Sequence, residues 1–151
     1  MTSGDLIGMA GFRLAFAPAL EPGGKAGVSA TARLNGCISP NGRYSDLRSG
    51  RIEATGKAEA HPVGSRPFGT LRSASGSGTI VWCPVSVKSR IFWSVSVSPV
   101  KGEIAFSATI TGGELNGDIV MAGPVLARVR TGKGDVGLEE LTTDLAVVVF
   151  G

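Results

Sequence analysis

Residues 91–98 alternate apolar and wet side chains one by one, with Ile91, Trp93, Val95 and Val97 set against Phe92, Ser94, Ser96 and Ser98. Such period-two alternation sends successive side chains to opposite faces of a strand, so the segment specifies a sheet with one buried face. Ile104, Phe106, Ala108 and Ile110 repeat the pattern against Ala105, Ser107, Thr109 and Thr111. No part of the chain sustains a helical period. Its 23 glycines, in 151 residues, punctuate the alternating runs. Turn chemistry joins them at Glu21-Pro22-Gly23-Gly24, Pro40-Asn41-Gly42, Pro99-Val100-Lys101-Gly102 and Thr111-Gly112-Gly113.

The pattern predicts strands near 12–17, 27–34, 50–60, 69–73, 76–83, 89–98, 103–111, 117–122, 124–131 and 144–150. Residues Leu138 to Thr142 read as a turn of helix. The expected fold is all-β: a single antiparallel β-sandwich of immunoglobulin-like architecture over residues 12–151, with nine or ten strands and little or no helix. Residues 1–11 are expected to form a flexible N-terminal arm, with Leu6, Ile7 and Met9 able to add to a neighbouring sheet edge. Aromatics are only 6% of the chain, so the core should be thin and rich in Val, Ile and Ala, with Trp82 and Trp93 inside it. In a regular strand Cys83 then faces away from Trp82. No apolar run approaches the roughly 18 residues that a membrane span needs, and membrane insertion is not expected.

The formal charge is +3, concentrated where Arg33, Arg43, Arg48, Arg51, Lys57, Arg66 and Arg72 outnumber Asp46, Glu53 and Glu59. Only Tyr44 and Phe68 supply aromatic rings there, and nucleic-acid grooves need stacking platforms. The stretch reads as a solvated basic face, with an anion-binding face as the alternative and nucleic acid not expected.

Chemistry-bearing motifs are few. Gly132-Lys133-Gly134-Asp135-Val136-Gly137 spells G-x-G-x-x-G, but a dinucleotide site needs a following helix and a distant acid for which too few residues remain. His61 is the sole histidine, and no G-x-S-x-G elbow accompanies it. Cys37, Cys83 and one histidine lack the paired spacing of a tetrahedral metal site. Glu139 with Glu140, or Asp118 with Glu114, are the carboxylate pairs available for glycoside hydrolysis, and nothing in the sequence selects one. No catalytic, cofactor-binding or metal-binding residue is therefore expected, and no cofactor.

Cys37 lies in a turn-like stretch, Asn35-Gly36-Cys37-Ile38-Ser39-Pro40, where an unpaired thiol would be exposed. A Cys37–Cys83 disulfide is the expectation, with two reduced, buried thiols as the alternative. The first eleven residues have no basic n-region and no apolar core of signal-peptide length.

The stretch Gly76-Ser77-Gly78-Thr79-Ile80-Val81-Trp82, then Ser89-Arg90-Ile91-Phe92-Trp93 and a strand ending in Gly112-Gly113 with Gly117-Asp118, resembles a known group. These are the small secreted all-β proteins of unassigned function from Streptomyces and related actinobacteria. The resemblance covers about residues 69–122. It implies an extracellular protein with no signal peptide in the given chain, and adds to the disulfide expectation. The functional expectation is a non-enzymatic extracellular binding or assembly module acting through a sheet edge or loop surface, with a protein partner or self-association. Alternatives are a carbohydrate- or cell-wall-active hydrolase and a virion or fibre subunit.

Overall fold

The computed structural model describes residues 4–21, 23–60, 71–98, 102–131 and 137–151. Among them are ten strands and no helix: β1 (Leu6–Ala10), β2 (Phe12–Leu20), β3 (Lys25–Ile38), β4 (Leu47–Ala60), β5 (Leu71–Pro84), β6 (Lys88–Ser98), β7 (Glu103–Gly113), β8 (Ile119–Thr131), β9 (Leu138–Thr143) and β10 (Ala146–Phe150). Each neighbouring pair is antiparallel. The ladder runs β3 to β8 in chain order and returns to β3 by two routes, β8–β10–β1–β3 and β8–β9–β2–β3.

The expected sandwich is thus corrected: the sheet closes into an eight-stranded barrel with two extra strand segments. β1 and β2 share one place in the wall, interrupted at Gly11, and β9 and β10 share the next, interrupted at Asp144 and Leu145. Alternating side chains fit either architecture, since both bury one face of every strand. Closure depends on long-range pairing that the local pattern does not carry. It also removes the free edge that the strand-addition expectation required.

Three local expectations change with it. Residues 6–10, expected as part of a loose arm, form β1, with Leu6 and Ala10 fully buried. Residues 138–143 form β9 instead of a helical turn, because pairing to both β2 and β8 satisfies their backbone groups. The expected break near 123 is a bulge inside β8, where Gly123 takes a φ of 90° and two residues oppose one of β7.

An eight-stranded barrel has an interior just wide enough for side chains, and here apolar ones fill it. Trp82 and Trp93 are both fully buried, as expected. Phe12 stacks on Phe106 at 4.6 Å between ring centroids, and Phe106 on Trp93 at 5.8 Å. Beside the Trp93 indole the two neighbouring strands approach closely. Trp93 pairs with Gly76, which pairs with Gly56, and the indole Nε1 donates to the Thr55 carbonyl at 3.2 Å. A Cβ at Gly56 or Gly76 would strike the facing backbone. The Gly-Ser-Gly-Thr-Ile-Val-Trp run is therefore a packing motif: its glycines, Ile80 and Trp82 face inward while Ser77 and Thr79 line the outside.

One end of the barrel is closed by polar bonding as well as packing. Trp82 Nε1 donates to Ser89 Oγ at 2.8 Å, and Ser89 Oγ donates to the Glu114 carbonyl at 2.6 Å. That second bond pins the β7–β8 turn, whose Leu115 adopts a φ of 62° and is buried.

Candidate functional site

With the interior packed, chemistry is available on the outer wall and at the barrel ends. Two outer surfaces differ sharply in character.

The first is apolar. Strand β10 is hydrophobic on both faces: Ala146, Val148 and Phe150 are buried, while Val147 and Val149 stand exposed. Register aligns Met9 with Val147, and Ile38, Ile7, Val149 and Met121 in one cross-strand row. The next row along runs Phe92, Thr109, Ile119. Met121 is 60% exposed, and Ile119 and Phe92 are each 56% exposed. These rows hold no charged side chain. Phe92 was legible as a wet-face residue; the stripe was not, because its members come from four separated strands.

The second surface is hydroxylated and basic. Arg13, Thr31, Glu53, Thr79 and Arg90 face outward in one row across β2 to β6. Beside it, Arg33 stands directly opposite Arg51. A groove of about 630 Å³ is lined by Ser29, Thr31, Thr55, Ser77, Thr79 and Arg90, among others. A second of about 320 Å³ shares Thr31 and Glu53 with it, and a third of about 200 Å³ shares Arg33 and Arg51 with the second.

The candidate carboxylates are dispersed or neutralised. Glu140 accepts from Arg13 at 2.7 Å and from Arg130 at 3.2 Å, while Glu139 accepts from Arg130 at 3.3 Å. Arg13, and then Arg130, hold the Glu140 carboxyl below its ordinary range, and Glu140 in turn raises Arg13. Glu114 contributes its backbone carbonyl to the barrel end. Asp118 meets not Glu114 but Asp5, a partner the sequence did not suggest because β1 was read as an arm.

Burial, and then the Asp5 carboxylate beside it, push Asp118 up to about 6. Its Oδ2 is buried without a hydrogen-bond partner among the described residues. Asp5 itself is fixed by Asn41 Nδ2 on its carboxylate and by Ser39 Oγ on its carbonyl.

The expected disulfide is absent, and both cysteines are free thiols. Residues 36 and 37 bulge between the β1 pairings of Asn35 and Ile38, turning Cys37 inward under Gly8. Cys83 is exposed on the outer wall of β5, opposite Ser49 of β4. Strand β4 therefore lies between them, so they are separated by about two strand spacings of roughly 4.8 Å, and a disulfide needs Cα atoms within about 7 Å. Burial raises the Cys37 thiol. Among the described residues no group of histidine, cysteine and carboxylate side chains is placed to hold a metal. His61, Arg66 and residues 132–136 of the glycine motif lie outside the described residues. No family model, curated protein or solved structure matches the chain.

Proposed function

We propose that the protein is a non-enzymatic binding or assembly module that works through the outer wall of its barrel, in the extracellular setting its resemblance implies. The observation that carries this reading is the uncharged apolar stripe formed by Met9, Ile38, Ile119, Met121, Val147 and Val149. Contiguous exposed apolar surface costs solubility and marks interaction sites. The occupant we favour is a second copy. A chain carrying +3 repels itself through its basic faces, and the stripe offers a surface where two copies meet without opposing like charges.

A membrane is a poorer occupant. Arg33, Arg51, Glu53, Lys57 and Glu59 point outward along β3 and β4, whereas a lipid-facing barrel is apolar all round. The test is light scattering during size exclusion on the native chain and on Met121→Lys/Val149→Lys. A dimer that becomes a folded monomer in the double variant supports the reading. A native monomer at high micromolar concentration, or a dimer untouched by the two lysines, overturns it.

A further inference from the structure

Two arginines directly opposite one another on neighbouring strands are destabilising, yet Arg33 and Arg51 occupy such a pair next to the end of the regular β3–β4 ladder. Arg51 has Glu53 at 3.2 Å. Arg33, Lys88 and Arg90 have no acidic partner among the described residues, since the ion pairs there engage other cations. The surplus is arranged in register. Arg33, Arg51, Val81 and Lys88 form one outward row, and Arg13, Thr31, Glu53, Thr79 and Arg90 the next.

Arg90 also packs on backbone. Its guanidinium lies over Gly112, where any Cβ would collide with it. The three grooves share lining residues, so Arg90, Thr31, Glu53, Arg33 and Arg51 lie along one channel on the outside of the barrel. Hydroxyls line the Arg90 end at Ser29, Thr55, Ser77, Thr79 and Thr111.

We infer that this channel binds an acidic polysaccharide. Guanidinium forks match carboxylates in two-point hydrogen bonds, and Arg33, without an acidic partner among the described residues, stands across from Arg51 to offer one. Serine and threonine hydroxyls both donate and accept, which suits the alternating donors and acceptors of sugar hydroxyls. A nucleic acid fits less well: among the described residues Phe92, paired with Ser77 at the channel edge, is the one ring there, and bases need a series of them. The channel's residues and those of the stripe, Met9, Ile38, Ile119, Met121, Val147 and Val149, are different ones, so this inference stands apart from self-association.

The experiment is salt-dependent binding of the full chain to polygalacturonate, with dextran and oligothymidylate as comparison ligands. The native chain is expected to bind polygalacturonate more weakly as salt rises, and to bind dextran at least tenfold more weakly. Arg33→Gln/Arg51→Gln should lose tenfold or more in affinity and Arg90→Gln several-fold, while Arg72→Gln, at the far end of β5, binds as the native chain does. Removing the like-charge pair should leave the melting temperature unchanged or higher, which separates lost binding from lost folding. Equal binding by the folded double variant, equal binding to dextran, tighter binding to oligothymidylate, or no binding by the native chain would overturn the inference.

Discussion

Gly56 and Gly76 face each other across β4 and β5, and the absence of two Cβ atoms there is what admits the Trp93 indole. Gly76→Ala sets a methyl against the Thr55 carbonyl, and backbone cannot yield as a flexible side chain does. The substitution should cost about 3 kcal/mol, seen as a lower urea midpoint; an unchanged midpoint contradicts this packing. Asp118 makes the opposite kind of prediction. Its folded value of about 6 lies above the ordinary 3.8, so the fold favours the protonated acid. Its contribution to stability is full below about pH 4 and is lost as the pH rises through about 6. Asp118→Asn should therefore melt higher than the native chain at neutral pH and flatten the profile between those values. An unchanged slope there would show that Asp118 is not the titrating group. The two thiols differ too: Cys83 should react rapidly with a thiol reagent and Cys37 slowly, with the same mass before and after reduction. A two-hydrogen mass difference would restore the disulfide.

At the scale of strands, β9 shows how an ion-pair cluster ties barrel places together. Glu140 on β9 meets Arg13 of β2 and Arg130 of β8, so one carboxylate bridges three adjacent strands. Glu140→Gln should speed amide exchange across Leu138–Thr143 while leaving the melting temperature nearly unchanged, as exposed pairs add little global stability. Exchange unchanged in β9 would count against the bridge. Strand β9 also marks where the sequence becomes illegible. Leu138 and Leu141 are spaced like a helix face, and both are fully buried; only the pairing on both sides makes the segment a strand. β6 and β7, with strict alternation, were readable almost to the residue. β1 was not, because Leu6, Ile7 and Met9 are apolar on both faces, and its place is set by β10 and β3, far along the chain. Strand β10 carries apolar residues at every position from Ala146 to Phe150, a pattern that the reading of the sequence did not connect with an exposed stripe.

For the molecule as a whole, closure decides where function can reside. Among the described residues apolar side chains fill the interior at the Trp93 level, and the ladder of paired strands closes on itself. The outer wall carries a charged, hydroxylated sector on β2 to β6 and an apolar sector on β1, β10 and β8 that reaches Ile38 at the end of β3. The composition foretold the basic surplus but not its alignment, which arises when Arg33, Arg51, Lys88 and Arg90 come into register. Met9 and Met121 lie in the apolar sector, 43% and 60% exposed, and so report on it directly. The decisive measurement is the rate of their oxidation by peroxide, followed by mass spectrometry, from dilute to concentrated protein. Oxidation of both slowing in step with dimer formation is the predicted result; equal rates at every concentration would contradict the outer wall's apolar sector as the working surface.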